Sequence, residues 1–235
     1  MTDSIIIDRR FQGPPNSGNG GYVCGRLAAY IQGPATVRLK SPPRLETELR
    51  VNPRAAGWAL LDGGQVVAEA RPAEIDLDPP SSPTFDEALH ASQRYRGHQS
   101  HPYPGCFVCG PDRAPADGLR IFPGPLPREP MVAAPWTPDP ALADSAGTAR
   151  TEFVWAALDC PGAFAFEWSP DYAVLLGEMT ATIDQAARTG AAHVVIGWEL
   201  AREGRKHHTG TALFDAAGNC IAKASATWLE VPAPI

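Results

Sequence analysis

A single acid in an apolar stretch is the first place in this chain where chemistry can be sought. Thr151 to Phe166 reads TEFVWAALDCPGAFAF, a helix former over Glu152–Leu158 that reaches one carboxylate, Asp159, with apolar residues on both sides. An ionised carboxylate in such surroundings is costly unless it is paired or hydrogen-bonded. The ordinary alternative is a helix-terminal Asp turned to solvent, since Cys160-Pro161-Gly162 could end the helix there. A second stretch, Asn16 to Ile31 (NSGNGGYVCGRLAAYI), sets Gly20-Gly21 at the start of an apolar segment of helical length, with Asn19 as its N-cap. A helix N-terminus offers unpaired N–H groups and a positive dipole end, and glycine lets a ligand come close to the backbone. That combination suits a carbonyl oxygen or its oxyanion; otherwise it is a flexible turn before a core helix. A third set, His98, His101, Cys106 and Cys109, spaced H-x2-H-x4-C-x2-C, has the ligand types for one zinc ion. A fourth, Arg202, Arg205, Lys206, His207 and His208, would hold phosphates or form a solvated loop.

The chain that must position these groups has 235 residues, 44% of them hydrophobic, enough for a sizeable core in one large or two small domains. A net charge of −6 argues against a broad nucleic-acid-binding face. The opening MTDSIIIDRRF carries acids early and lacks a signal peptide's apolar run. No stretch approaches the ~18 consecutive apolar residues of a membrane span. Five cysteines, an odd number, fit reduced thiols and a cytoplasmic location.

Periodicity predicts a strand over 4–11, a helix over 20–31, and strands over 35–41 and 45–51. A hairpin, 57–61 with 65–72, turns about Asp62-Gly63-Gly64. Residues 76–105 are polar and proline-rich and read as a linker with at most one short helix, around Phe85–Ser92. Cys106–Phe122 reads as a loop ending in a short strand over 118–122, and a second proline-rich stretch, 123–140, leads to the helix at Thr151. Strands over 178–184 and 192–200 follow, then a hairpin of 206–214 with 219–231. GWALLDGGQVVAEARPAEI (57–75) and GTALFDAAGNCIAKASATWLEV (210–231) share one pattern, so the second half repeats the first. The expected class is α+β, two β-α-β-β-β units over 1–76 and 106–235 joined by a linker, 77–105.

Over nearly its whole length the chain resembles the hotdog-fold acyl-CoA thioesterases in their double form, with two antiparallel sheets each wrapped around a central helix. Ala156-Ala157-Leu158-Asp159 and Ala181-Thr182-Ile183-Asp184 are similar to the helix end and strand of the type II acyl-CoA thioesterases. That resemblance implies that Asp159 activates water or attacks as a nucleophile and that Thr182 holds the water. The family's glutamine on the last strand falls near Ala226 and is missing. Phenylacetyl-CoA-type and 4-hydroxybenzoyl-CoA-type relatives place Gly-Gly at a helix start and an acid about two turns on. Here Gly20 leads to Ala28, and Asp159 leads back to Thr151, so each half lacks what the other keeps. Paired, they give one complete site per chain, with the Gly20 and Gly21 amides as oxyanion donors. Asn16, Asn19, Tyr22, Trp155, Arg202 and Arg205 are the expected substrate contacts.

The resemblance further implies an acyl thioester substrate, no cofactor beyond the coenzyme A of that substrate, no nucleic-acid or membrane partner, and a homodimer. The C-F-x-C-G…G-L pattern through Cys106 and Leu119 resembles the entry segment of hotdog thioesterase-like proteins, where metal is not the rule; no metal is therefore expected. Two other readings stay open. A hotdog hydratase would carry an Asp-x4-His pair, but the histidine's position is Phe164. A non-catalytic acyl-CoA-binding module is kept in play by the missing glutamine. There is no G-x-S-x-G elbow.

Overall fold

Asn19 starts the first helix, its side chain accepting from the Tyr22 N–H, and apolar side chains carry that helix into the core. The computed structural model describes residues 3–127, 129–169 and 171–233. The chain runs β1 (Asp3–Ile6), α1 (Gly20–Ala28), β2 (Ala35–Leu39), β3 (Glu48–Arg54), β4 (Gly57–Asp62) and β5 (Gln65–Pro72), then α2 (Phe85–Ser92). It continues with β6 (Gly124–Pro125), β7 (Met131–Trp136), α3 (Thr151–Ala163), β8 (Tyr172–Ile183), β9 (His193–Glu203), β10 (Lys206–Phe214) and β11 (Cys220–Pro232).

These strands form one antiparallel sheet in the order β1-β3-β4-β5-β2-β8-β11-β10-β9-β7-β6. The first half, β1-β3-β4-β5-β2, is mirrored by β7-β9-β10-β11-β8, and the two meet where β2 pairs with β8 through Ala35–Ala181 and Val37–Met179. Across that seam Thr36 and Thr180 join their hydroxyls at 2.8 Å. The sheet wraps two helices that lie against each other. In α3, 11 of 13 residues are buried, the mark of a helix that is core on every side. Burying Phe153, Trp155 and Leu158 contributes about 1.5–3 kcal/mol each.

Helix α1 meets α3 almost backbone to backbone. A Cβ on Gly21 would lie 2.4 Å from Asp159 Cβ, and one on Gly25 would lie 2.6 Å from Glu152 Cα. The glycines four apart are therefore the contact face, which fixes how near Asp159 comes to the start of α1.

Several elements differ from expectation. The first strand stops at Ile6, and Asp8 caps a 3-10 turn over Arg9–Phe11. Helix α1 ends at Ala28, short of Ile31. Residues 118–122 are not a strand: Leu119 and Ile121 send their N–H groups to the Phe107 and Val108 carbonyls and bury their side chains as loop pegs. The strand of that region is β7, inside the proline-rich stretch. Helix α3 does not end at Pro161 but runs through it to Ala163. The proline costs only the N–H that would reach back one turn, and it falls in the last turn.

Residues 77–122 form a strap. Lys223 on β11 donates to the Leu77 carbonyl, and α2 lies on β7 and β9 from the side opposite α3. There Ala88 and Ala91 complete a second cluster with Ile196, Ala212 and Phe214, while Val195 and Leu213, the alternate residues, face the main core. Past α2 the strap rounds the β6 edge, and Tyr95 enters the main core. No helix among the described residues is long and apolar enough to cross a membrane.

Candidate active site

Helix α3 carries Asp159 into the seam between the halves, where it is 2% exposed. Its Oδ2 accepts from Asn19 Nδ2 at 2.8 Å and from the Gly21 N–H at 3.0 Å. Both donors belong to the N-terminus of α1, so the positive end of that helix faces the carboxylate. Its Oδ1 is buried and without a hydrogen-bond partner. Burial pushes the Asp159 pKa up to about 7; the Gly21 hydrogen bond lowers it, the neighbouring Cys106 raises it, and Asn19 lowers it. The Gly20 N–H, first in the helix, takes no acceptor among the described residues.

These groups open on a cavity of about 290 Å³. Asn19, Gly20 and Asp159 stand at its polar end, and Phe164, Trp168, Leu176 and Trp228 make an apolar wall. Trp228 is fixed there by its Nε1–H, which donates to Thr209 Oγ1 at 3.1 Å. The strap returns to supply His101, Tyr103, Cys106 and Cys109, and Cys160 joins from α3. Cys106, Cys109 and Cys160 gather their sulfurs within 4.8 Å of one another. Hydrogen bonds from Cys109 and Cys160 hold the Cys106 thiol well below the usual range, while burial pushes those two well above it.

The structure brings Asp159, Asn19, Gly20 and Gly21 together and leaves the other expected residues elsewhere. Gly21 does not offer a free oxyanion donor, because its amide is already bonded to Asp159. Thr182 lies on the far face of the sheet: Ala181 points into the main core, so its neighbour points away, and the Thr182 hydroxyl donates to Asp184. It also lies five residues beyond Gly177, where β8 last touches the cavity, roughly 16 Å along the strand. Asn16 is exposed with φ 61°, in the left-handed region. Tyr22 stacks on Phe11, and Trp155 packs over Gly25. Arg202 is bonded to Glu230, and neither it nor Arg205 lines the cavity. His98 sits edge-on to Tyr95 and Phe122.

The mirrored half-sheets, each curled around one of two contacting helices, decide the architecture. The fold is a double hotdog. The tesB protein of Mycobacterium avium subspecies paratuberculosis has it too, with a TM-score of 0.60 at 12% identity over 93% of this chain and 90% of that one. An acyl-CoA thioesterase II from Mycobacterium marinum superposes with a TM-score of 0.59 at 13% identity, over 91% and 89% of the two chains. No protein-family model matches the sequence, and no curated protein matches it. At such identities the double hotdog is shared as a fold, and the site has to be argued from its own geometry. In this double hotdog the partners of Asp159 are Asn19 and Gly21 of the other half, whereas the glutamine position, Ala226, is a buried core residue.

Proposed function

We propose that the protein hydrolyses an acyl thioester, an acyl-CoA, with Asp159 as general base. The observation that carries this reading is the division of labour within one carboxylate. Oδ2 is pinned by two donors from the opposite half, while Oδ1 is buried and left without a partner on a residue that lines the cavity. In the proposed reaction a water on Oδ1 gives up its proton as its oxygen attacks the thioester carbon. The carbonyl oxygen becomes an oxyanion next to the Gly20 N–H and the α1 dipole. The C–S bond then breaks, and the leaving thiolate takes the proton back from Asp159. Phe164, Trp168 and Leu176 suit the acyl chain. The double-hotdog likeness to an acyl-CoA thioesterase II supports the substrate class.

Asp159→Asn keeps the shape and removes the base, so release of free thiol from acyl-CoAs is expected to fall ~10²–10⁴-fold while binding persists. Unchanged turnover would sink the assignment of the base. A second reading, a non-catalytic acyl-CoA-binding protein, is favoured by the outward Thr182 and by Ala226 in place of a glutamine. It prevails if the parent protein binds acyl-CoAs of varied length and releases thiol from none.

A further inference from the structure

Three of the five cysteines, far apart in the chain, converge beside the cavity, and hydrolysis of a thioester by Asp159 has no use for them. Cys106 and Cys109 come from the strap as a C-x2-C turn. It is closed by Gly110, where a Cβ would lie 2.4 Å from the Pro104 carbonyl oxygen and 2.5 Å from that of Cys106. Cys160 comes from the last turn and a half of α3. All three are buried and free of disulfide bonds. Cys106 and Cys160 hold their sulfurs 3.8 Å apart, too far for an S–S bond of ~2.05 Å but equal to the ~3.8 Å between two thiolates on a tetrahedral zinc with ~2.3 Å bonds. His101 stands at the edge of the group: its Nε2 is 3.3 Å from Cys109 Sγ, against ~3.5 Å expected between N and S ligands of one zinc, but it lies outside the set of ligand atoms within 4.8 Å of one another and must swing inward to join it.

We propose that Cys106, Cys109, Cys160 and His101 bind one zinc ion, a closed three-sulfur, one-nitrogen site that fastens the strap to α3. His101 is the ligand that must adjust. Its Nδ1 accepts from the Tyr103 N–H at 2.9 Å, which places the ring proton on Nε2. For Nε2 to ligate, that proton has to move to Nδ1 and the Tyr103 bond has to be given up. The three sulfurs must also lose protons on binding, but they already converge within 4.8 Å of one another without rearrangement, so they are the firm part of the site and His101 the weaker. The sequence spacing had offered His98 in place of Cys160, but His98 is held between Tyr95 and Phe122. The site is structural in kind, since all four positions are filled by protein groups. It holds the cavity wall formed by Tyr103 and Cys106 against the helix that bears Asp159.

The test is metal analysis of the full chain purified without chelator, independent of any activity. About one zinc per chain is expected, and cobalt(II) exchanged into the site should give the intense visible absorption of a tetrahedral thiolate complex. Cys109→Ser and Cys160→Ser should bring zinc below about a tenth per chain, and Cys220→Ser should leave it unchanged. His101→Gln should weaken binding ~10–100-fold without abolishing it, as measured by competition with a chromogenic chelator. A parent protein that is metal-free, takes up neither added zinc nor cobalt(II), and shows all five thiols reactive once denatured overturns the proposal. So does a Cys106–Cys160 disulfide found by mass spectrometry in protein kept under reducing conditions.

Discussion

Asn19 does two things with one side chain. Its Oδ1 accepts the Tyr22 N–H as helix cap, and its Nδ2 donates to Asp159 across the seam. Asn19→Ala therefore loses ~0.5–2 kcal/mol of cap stability and one of the two donors that hold the carboxylate. A lower melting temperature together with slower thiol release is the expected result. Asn19→Asp separates the two roles: the cap survives, but a second carboxylate now faces Asp159. Because both carboxylates are buried, its melting temperature should fall at neutral pH and recover as the pH is lowered and the pair takes up a proton, while thiol release is still lost; full activity in Asn19→Asp would show that the donor does not matter. At this scale the sequence was legible wherever a residue's role depends on its neighbours in the chain. A carboxylate among apolar residues and a capped Gly-Gly both announced themselves. Thr182 did not, because its usefulness depends on which face of β8 it occupies, and a shift of one residue turns a strand side chain to the other face.

Among the elements, the α1–α3 contact is set by Gly21 and Gly25. Alanine at position 25 would gain up to ~1 kcal/mol of helix propensity. It would also drive a methyl group into Glu152 Cα and Trp155 Cβ, an overpacking that costs ~1–3 kcal/mol or more. Because backbone rather than a flexible side-chain tip blocks the space, the second effect wins. Gly25→Ala should melt several degrees lower and lose activity by moving α1 off Asp159. A melting temperature at or above the parent's would show that the helices can separate without penalty. The hairpins could be read from sequence to within a residue or two, since a small-residue turn between alternating runs is a local signal. Strand β7 could not. Its six residues, MVAAPW, contain one proline and sit in proline-rich surroundings, and only pairing with β9 makes them a strand. The sequence left open an end to helix α3 at Cys160-Pro161-Gly162; packing of the last turn against β9 outweighs the proline and carries the helix through.

For the whole molecule, composition marked the strap as a bridge with one short helix around Phe85–Ser92, which the structure starts with a capping box of Thr84 and Glu87. Where that helix docks was not, because two small alanines are the only buried side chains it offers. Ala91→Asp puts a carboxylate under α2 against the outer face of the sheet, where its desolvation costs ~1–3 kcal/mol or more. Amide exchange should rise through 85–98 and stay slow in β3, β4 and β5; unchanged exchange in α2 would mean that its contact with the sheet contributes nothing. A last consequence lies in the order of the strands. The 13 residues of β11 enter the sheet between β8 and β10, both of which are made before it. As the chain leaves the ribosome, those two strands must wait, each with a long unpaired edge of the kind that recruits other chains. The hazard of this protein's synthesis is therefore concentrated in one interval, from Phe214 until β11 is inserted. A chain ended at Asn219 should collect in the insoluble fraction even though every residue of the first half, and Asp159 itself, is present.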